Sequence, residues 1–283
     1  MSAGVSCWGI YRESAHSPGR VEDDAAIIEG VARALEQRGF KVELVPSEAA
    51  QAALETPEAR VFTMCERGEV LDRLAEAVQA GAVVVNSPDA IRNTYRHRMV
   101  ELFQRHGIPS PQSHVLATDA GTSAPLARAW IKRYDFHATQ ADDVMYAASE
   151  EGWRVALRRF AERGIPFVVA QQHVQGDLVK FYGVVEASKG SQRAAWFEWF
   201  YHRDKGMIGH AFAEARLHEV AFAAAAALGL EIFGGDAIIQ PGGEPVIIDL
   251  NAWPSFARFR DSAARAIAEL LAGRFRPKLR AVS

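Results

Sequence analysis

Cysteine is scarce in this 283-residue chain: Cys7 and Cys65 stand far apart, without metal-ligand spacing. That excludes a disulfide scaffold and a cysteine-based metal site, and each reads as a small core residue at a strand end. Long apolar runs are missing as well. The longest, the Ala-rich stretch Val220 to Leu230, spans 11 residues, whereas a membrane-spanning helix needs roughly 20. The first residues carry neither the basic segment nor the apolar segment of a secretory signal, so the expected location is cytoplasmic. There is no basic excess. A net charge of −3 and a pI near 6.3 argue against a surface built to hold nucleic-acid backbone or anionic lipid, so neither is expected as a partner. Internal repeats and low-complexity segments are also absent.

What is present is a globular composition, 49% apolar and 24% charged, with enough chain for several sub-domains. Up to Asn86 short apolar runs alternate with amphipathic stretches, the pattern of a parallel sheet with crossover helices. Strands are expected at Val5–Tyr11, Lys41–Val45, Arg60–Met64 and Ala82–Asn86, with helices at Glu22–Arg38 and Glu69–Ala80. Ligands of such sheets sit beyond the carboxyl ends of the strands, which points to the loops Arg12–Arg20 and Cys65–Gly68. Ser87 and Pro88 start a helix expected to run to Gly107. The prolines of Ile108-Pro109-Ser110-Pro111 then mark a linker. Beyond it the pattern is one of paired strands, with helices at Glu151–Glu162, Ala211–Leu228 and Asp261–Ala272. The expected class is therefore α/β followed by α+β.

The chemistry-bearing pattern is the hairpin Gly234-Gly235-Asp236 … Ile248-Asp249-Leu250-Asn251. Strand residues two apart share a face, so Asp249 and Asn251 project together and Asp236 comes opposite. Two carboxylates and an amide oxygen are hard ligands suited to magnesium with phosphates and waters. The alternative is that Asp249 and Asn251 merely open the turn before Pro254.

Together with Asn86-Ser87-Pro88-x-Ala90-Ile91, Gly107-Ile108-Pro109-x-Pro111, a lysine-bearing strand at Lys132 and Gln171-Gln172-His173-Val174, this hairpin resembles the ATP-grasp superfamily over roughly Val83 to the C-terminus. The resemblance implies an N-terminal parallel-sheet domain (1–88), a connecting helix and linker (89–118), a small central lobe (119–174) and a C-terminal lobe with the metal site (175–283). It implies ATP and one or two Mg2+ as cofactors; sequence alone does not separate ATP from GTP. Asp236, Asp249 and Asn251 stand where the metal ligands belong, and Lys132 where a phosphate-binding lysine does. A second cation is matched by Arg96, or by Arg98 if the alignment slips. Gln171, Gln172, His173 and Val174 correspond to the segment that meets adenine, and Asp177 is a candidate for the ribose hydroxyls. The loop Arg133 to Gln140 lacks the glycines that many relatives use to cradle phosphate.

Two reaction classes fit. The ligases of the superfamily activate a carboxylate as an acyl phosphate for attack by an amine or thiol. The inositol polyphosphate kinases transfer the phosphoryl group to an alcohol. Asp249-x-Asn251, Leu230-Glu231-Ile232-Phe233-Gly234-x-Asp236, Lys132-x4-His137-Ala138-Thr139 and Lys180-Phe181-Tyr182 are similar to the kinases. For the cationic pocket that a polyol phosphate needs, the candidates are Arg12, His16, Arg20, Arg203, Lys205, Arg258 and Arg260. The ligase reading is preferred, with a small-molecule or peptide-like substrate. Arg258, Lys180 and His137 are then the candidate catalytic residues, and Arg12, Ser14, His16 and Arg20 the candidate substrate contacts. Each of these loop residues also reads as ordinary solvated charge, and the chain could be a nucleotide-binding sensor without turnover. The aromatic run Trp196, Phe197, Trp199, Phe200, Tyr201 reads as sheet packing.

Overall fold

In the computed structural model the described residues are 5–54, 58–119, 121, 123–135, 138, 140–188, 193–202 and 206–276. The expected crossovers build a parallel sheet in which β1 (Ser6–Ile10) lies between β2 (Lys41–Val45) and β3 (Arg60–Thr63), with β4 (Val83–Val85) beyond β3. Two helices link these strands. In α1 (Val21–Glu36) the residues at helical spacing, Ile27, Ile28, Val31 and Leu35, are fully buried; in α2 (Gly68–Gln79) Val70, Leu71 and Leu74 do the same work.

The single helix expected between Ser87 and Gly107 is two helices, α3 (Pro88–Asn93) and α4 (Arg96–Arg105). Thr94 ends the first by folding its hydroxyl back onto the Ile91 carbonyl at 2.7 Å, and Tyr95 is extended. The unpaired N–H groups of a new first turn need acceptors. Those of Arg96 and His97 find the carbonyls of Asp135 and Tyr134, each at 3.0 Å.

The central antiparallel sheet has the order β5 (Ser113–Ala117), β8 (Phe167–Gln172), β6 (Ala129–Arg133), β7 (Val144–Ala147). Its first strand lies in the stretch after the prolines that shows no strand pattern in the sequence. Helix α5 (Glu150–Glu162), capped by Ser149, buries Trp153, Leu157 and Phe160 against Ile131, Val168 and Ala170 on one face. The third sheet, also antiparallel, runs β10 (Ala194–Tyr201), β9 (Asp177–Val185), β11 (Ile232–Ile239), β12 (Pro245–Ala252), with α6 (Glu214–Leu228) and α7 (Arg260–Phe275). Of the aromatic run on β10, Trp196, Phe197, Trp199 and Tyr201 pack against the core as expected. Among the described residues no helix is long and apolar enough to cross a membrane.

One apolar core runs through the first and third sheets, and a smaller one lies under α5. Two of the contacts that join the first pair involve Trp253 and Asn86. Trp253, just past β12, stacks on Phe62 of β3 with ring centroids 5.9 Å apart. Asn86, fully buried, accepts from the Glu231 and Ile232 N–H groups at 2.8 and 3.0 Å and donates to the Ile232 carbonyl at 2.7 Å. Replacing that amide orphans buried backbone groups, so Asn86→Ala is expected to cost about 2–3 kcal/mol in urea unfolding.

Candidate active site

Alternation along the strands of the central sheet puts Trp130 and Lys132 on the face away from α5. Their cross-strand partners Tyr146, Val144, Gln171 and Val169 lie on it too. On the third sheet the same rule groups Lys180 and Tyr182 of β9 with their partners Asp236 and Gly234 on β11, and with Asp249 and Asn251 on β12. The two faces meet at β12.

The register of that strand explains how. Asp236 pairs with Asp249 but Ala237 pairs with Ile247, so Ile248 is the extra residue of a β-bulge. A bulged residue leaves the ladder and turns its polar groups elsewhere. The Ile248 carbonyl accepts from the Lys132 ammonium at 3.3 Å and from the Gln171 side-chain amide at 3.4 Å. Lys132, 7% exposed, also donates to Gln171 Oε1 at 2.7 Å. Burial pushes its pKa down to about 8, with Asp249 opposing and Arg96 adding to the shift. Gly235 keeps the hairpin closed, because a Cβ there would lie 2.5 Å from the Asp249 carbonyl oxygen.

Around this contact the charges alternate. Arg96 reaches Asp249 at 3.6 Å, and Lys180 donates to Asp236 at 2.8 Å. Burial pushes the Asp236 carboxyl up, Lys180 pulls it back and the facing Asp249 raises it further. Two carboxylates set across from each other, with the Asn251 amide on the same face, form a hard-oxygen donor set. Their mutual repulsion is what a divalent cation relieves, so the residues fit magnesium by chemistry. Among the described residues no group of three or more His, Cys, Asp or Glu side chains forms a metal cluster; the set here relies on the asparagine.

The Gln171–Val174 segment lies at the end of β8. The Gln172 and His173 N–H groups are tied to the carbonyls of Gln112 and Arg128, at 2.8 and 3.0 Å, and Val174 is half-buried. Beside it stands an aromatic group that sequence reading missed. The Trp130 indole donates to His173 Nδ1 at 3.1 Å, and the Tyr146 ring lies 5.0 Å from that of Trp130. Strand pairing, invisible before the register is known, is what assembles it.

Asp177 is placed otherwise than expected. Its carboxylate is buried and accepts from the Ile208, Gly209 and His210 N–H groups at 2.7, 2.8 and 2.5 Å. Burial opposes the charge, but these donors outweigh it and lower the pKa. It organises the loop before α6 rather than presenting a carboxylate for ribose.

Arg12 likewise turns inward. It pairs with Asp24 at 3.1 Å and with Glu66, and donates to the Trp253 and Ala252 carbonyls at 2.6 and 3.4 Å. Its position next to a substrate-type loop suggested a ligand contact; its partners come from distant parts of the chain. The neighbouring Glu13, not singled out from sequence, is buried. It accepts from the N–H groups of Glu66 and Arg67 at 3.1 and 2.9 Å and from the Cys65 thiol, with His16 Nδ1 at 3.4 Å. A cavity of about 450 Å3 opens here, lined by Glu13, His16, Glu66, Arg67, Tyr95 and Asp135 among others. It joins the two loops that the parallel sheet singles out. Ser14 is exposed, and Arg20 lies on a separate depression of about 350 Å3 formed by residues 19–23. Arg258 is exposed and sits over the Phe200 ring at 4.0 Å. His137, Arg203 and Lys205 lie outside the described residues.

Solved structures share this architecture along nearly the whole chain. A D-alanine–D-alanine ligase from Bacillus anthracis complexed with ATP matches with a TM-score of 0.69 at 10% identity, covering 96% of each chain. D-alanyl-alanine synthetase A from Vibrio cholerae matches at 0.69 and 13% identity, covering 96% of this chain and 98% of that one. The ATP-grasp ligase PsnB complexed with its precursor peptide PsnA2 and AMPPNP matches at 0.65 and 15% identity, covering 98% and 99%. No protein-family model and no curated protein matches the sequence. The chain has the ATP-grasp fold, the fold of the superfamily its motifs resemble: α/β in its first sheet and α+β in the two that follow.

Glu13 gives the site a measurable acid response. Burial alone would raise its carboxyl, but the side-chain donors His16 and Cys65 and the backbone N–H groups take it down from 4.5 to about 2. A depressed folded-state pKa contributes stability above the unfolded value that is lost as pH falls through the folded one. The urea midpoint of the wild type should therefore exceed that of Glu13→Gln at neutral pH, and the gap should narrow between pH 4.5 and about 2.

Proposed function

We propose that this protein is an ATP- and Mg2+-dependent ligase that activates a small or peptide-like carboxylate as an acyl phosphate for attack by an amine or thiol. The observation that carries the reading is the convergence of buried Lys132 and Arg96 on Asp249, beside Asp236, where the central and third sheets meet. Three cations around two carboxylates are a setting for a polyanion neutralised by metal. Neighbours named as ligases share the fold over nearly the whole chain.

In this reading the chain is organised as units 1–88, 89–118, 119–174 and 175–283, with the nucleotide between the last two. Lys132 and Arg96 hold phosphate oxygens, and the Gln171–Val174 segment lies along the base. Asp236, Asp249 and Asn251 hold one or two Mg2+, which when bound draw charge from the phosphate oxygens. A substrate carboxylate oxygen attacks the γ-phosphorus, ADP departs, and an amine or thiol then displaces phosphate from the acyl carbon. Lys180 and Arg258 are the candidates to meet the developing negative charge, and His137 is proposed as a third catalytic residue from the sequence pattern alone. The cavity at Glu13 and His16, with Ser14 and Arg20 on the same loop, receives the carboxylate substrate.

The test is ADP release with mixtures of carboxylates and amines or thiols. Turnover should require both partners, and hydroxylamine should trap a hydroxamate from the first. Stoichiometric ADP release with a polyol phosphate alone, with phosphoryl transfer to it, would replace the ligase by a kinase. Asp249→Asn should still fold, with a lowered melting temperature because buried Arg96 and Lys132 lose a counter-charge, and lower kcat by about 100-fold or more; full activity in that variant would remove the metal assignment.

A further inference from the structure

The Arg12 guanidinium spans two parts of the chain that must hold a fixed relation if the proposed function is right. Its side chain is 7% exposed. On one side it meets Asp24 of α1 and Glu66, which follows β3 and lines the cavity of about 450 Å3. On the other it donates to the carbonyls of Ala252 and Trp253, the two residues that follow Asn251. A guanidinium presents its N–H groups in a rigid planar fork, so these partners are fixed relative to one another.

The chain leaves β12 here in an unusual way. Trp253 has φ of +46°, in the left-handed region that side-chain-bearing residues seldom occupy, and Phe256 follows at +51°. Such a residue is strained and persists only where its surroundings over-determine it. Here they do so twice: the Trp253 ring is buried against Phe62, and its carbonyl is held by Arg12.

We propose that Arg12 is a positioning residue for the metal-binding end of β12, tying the loop after β1 to Asn251 through the Ala252 and Trp253 carbonyls. This rests on Asp249 and Asn251 being metal ligands. Without the guanidinium the exit turn relaxes, and the Asn251 amide, two residues upstream, loses its fixed direction toward the cation. Arg12 itself touches neither metal nor nucleotide.

The experiment measures Mn2+ binding to the full-length protein with AMPPNP, from the electron paramagnetic resonance of free Mn2+, and AMPPNP binding in EDTA. The proteins are wild type, Asp249→Asn, Arg12→Lys, and Arg12→Met combined with Asp24→Asn and Glu66→Gln, so that no buried carboxylate is left without its cation. Arg12→Lys and the triple variant should bind Mn2+ about 10- to 100-fold more weakly, as for lost supporting contacts to a metal ligand, with metal-free AMPPNP affinity within about twofold of wild type. Asp249→Asn should lose Mn2+ binding. If Asp249→Asn loses it while both Arg12 variants bind as wild type, the positioning role is wrong and the metal site stands. If Asp249→Asn binds Mn2+ normally, the metal reading fails and the proposal with it. Equal losses of Mn2+ and metal-free nucleotide affinity, or failure of both Arg12 variants to fold, would make Arg12 a general stabilising residue and overturn the proposal.

Discussion

A lysine ammonium removed from water needs compensating partners, and the placement of Lys132 constrains much of what surrounds it. Its hydrogen bonds come from Gln171 on the neighbouring strand and from the carbonyl freed by the bulge at Ile248. Its electrostatic support comes from Asp249 and Asp236 on the opposing sheet. To supply these, β12 must approach the central sheet closely enough for backbone to meet side chain, and α4 must start where Arg96 can reach Asp249. The break between α3 and α4 serves the same end. It turns the first N–H groups of α4 onto the carbonyls that follow β6, so the strand bearing Lys132 and the helix bearing Arg96 are joined directly.

The same logic governs the loop after β6. Without the glycines that would let backbone N–H groups wrap an anion, its described ends are pinned by ion pairs. Arg133 binds Asp135 at 2.6 Å, and Asp143, fully buried, receives Arg163 at 2.5 Å and also faces Arg133 at 3.5 Å. The Asp143 carboxylate caps its own short turn by accepting the Gln140 N–H at 3.1 Å. The described ends of this loop are thus placed by side-chain charge rather than by the backbone freedom of glycine.

Much of the fold was legible because periodicity is a local property. The parallel strands, their helices and the β11–β12 hairpin follow from residue spacing, and two-residue alternation alone put Asp249 and Asn251 on one face. β5 escaped because Ser113-His114-Val115-Leu116-Ala117 has too little alternation to mark a strand; its order comes from pairing with β8. The break at Thr94 escaped because it depends on carbonyls from another sheet. At the candidate site, residue type was a poor guide to direction. Arg12 and Asp177 are charged residues in suggestive places, yet both face inward because their partners, 240 residues away or across a loop, take up their hydrogen-bonding groups. Glu13 was overlooked for the converse reason: nothing local distinguishes it from a solvated loop carboxylate.

The Trp130 side chain carries a consequence of a different kind. Of the six tryptophans, it is the one that reaches 36% exposure; Trp153 and Trp253 are buried, and Trp8, Trp196 and Trp199 are half-buried. It projects from the same sheet face as Lys132, with the indole N–H held by His173. Emission from an indole in contact with water lies to the red of emission from the buried Trp153 and Trp253, and it is open to collisional quenchers that those two evade. The protein thus has a built-in optical reporter on the face of the central sheet that bears Lys132.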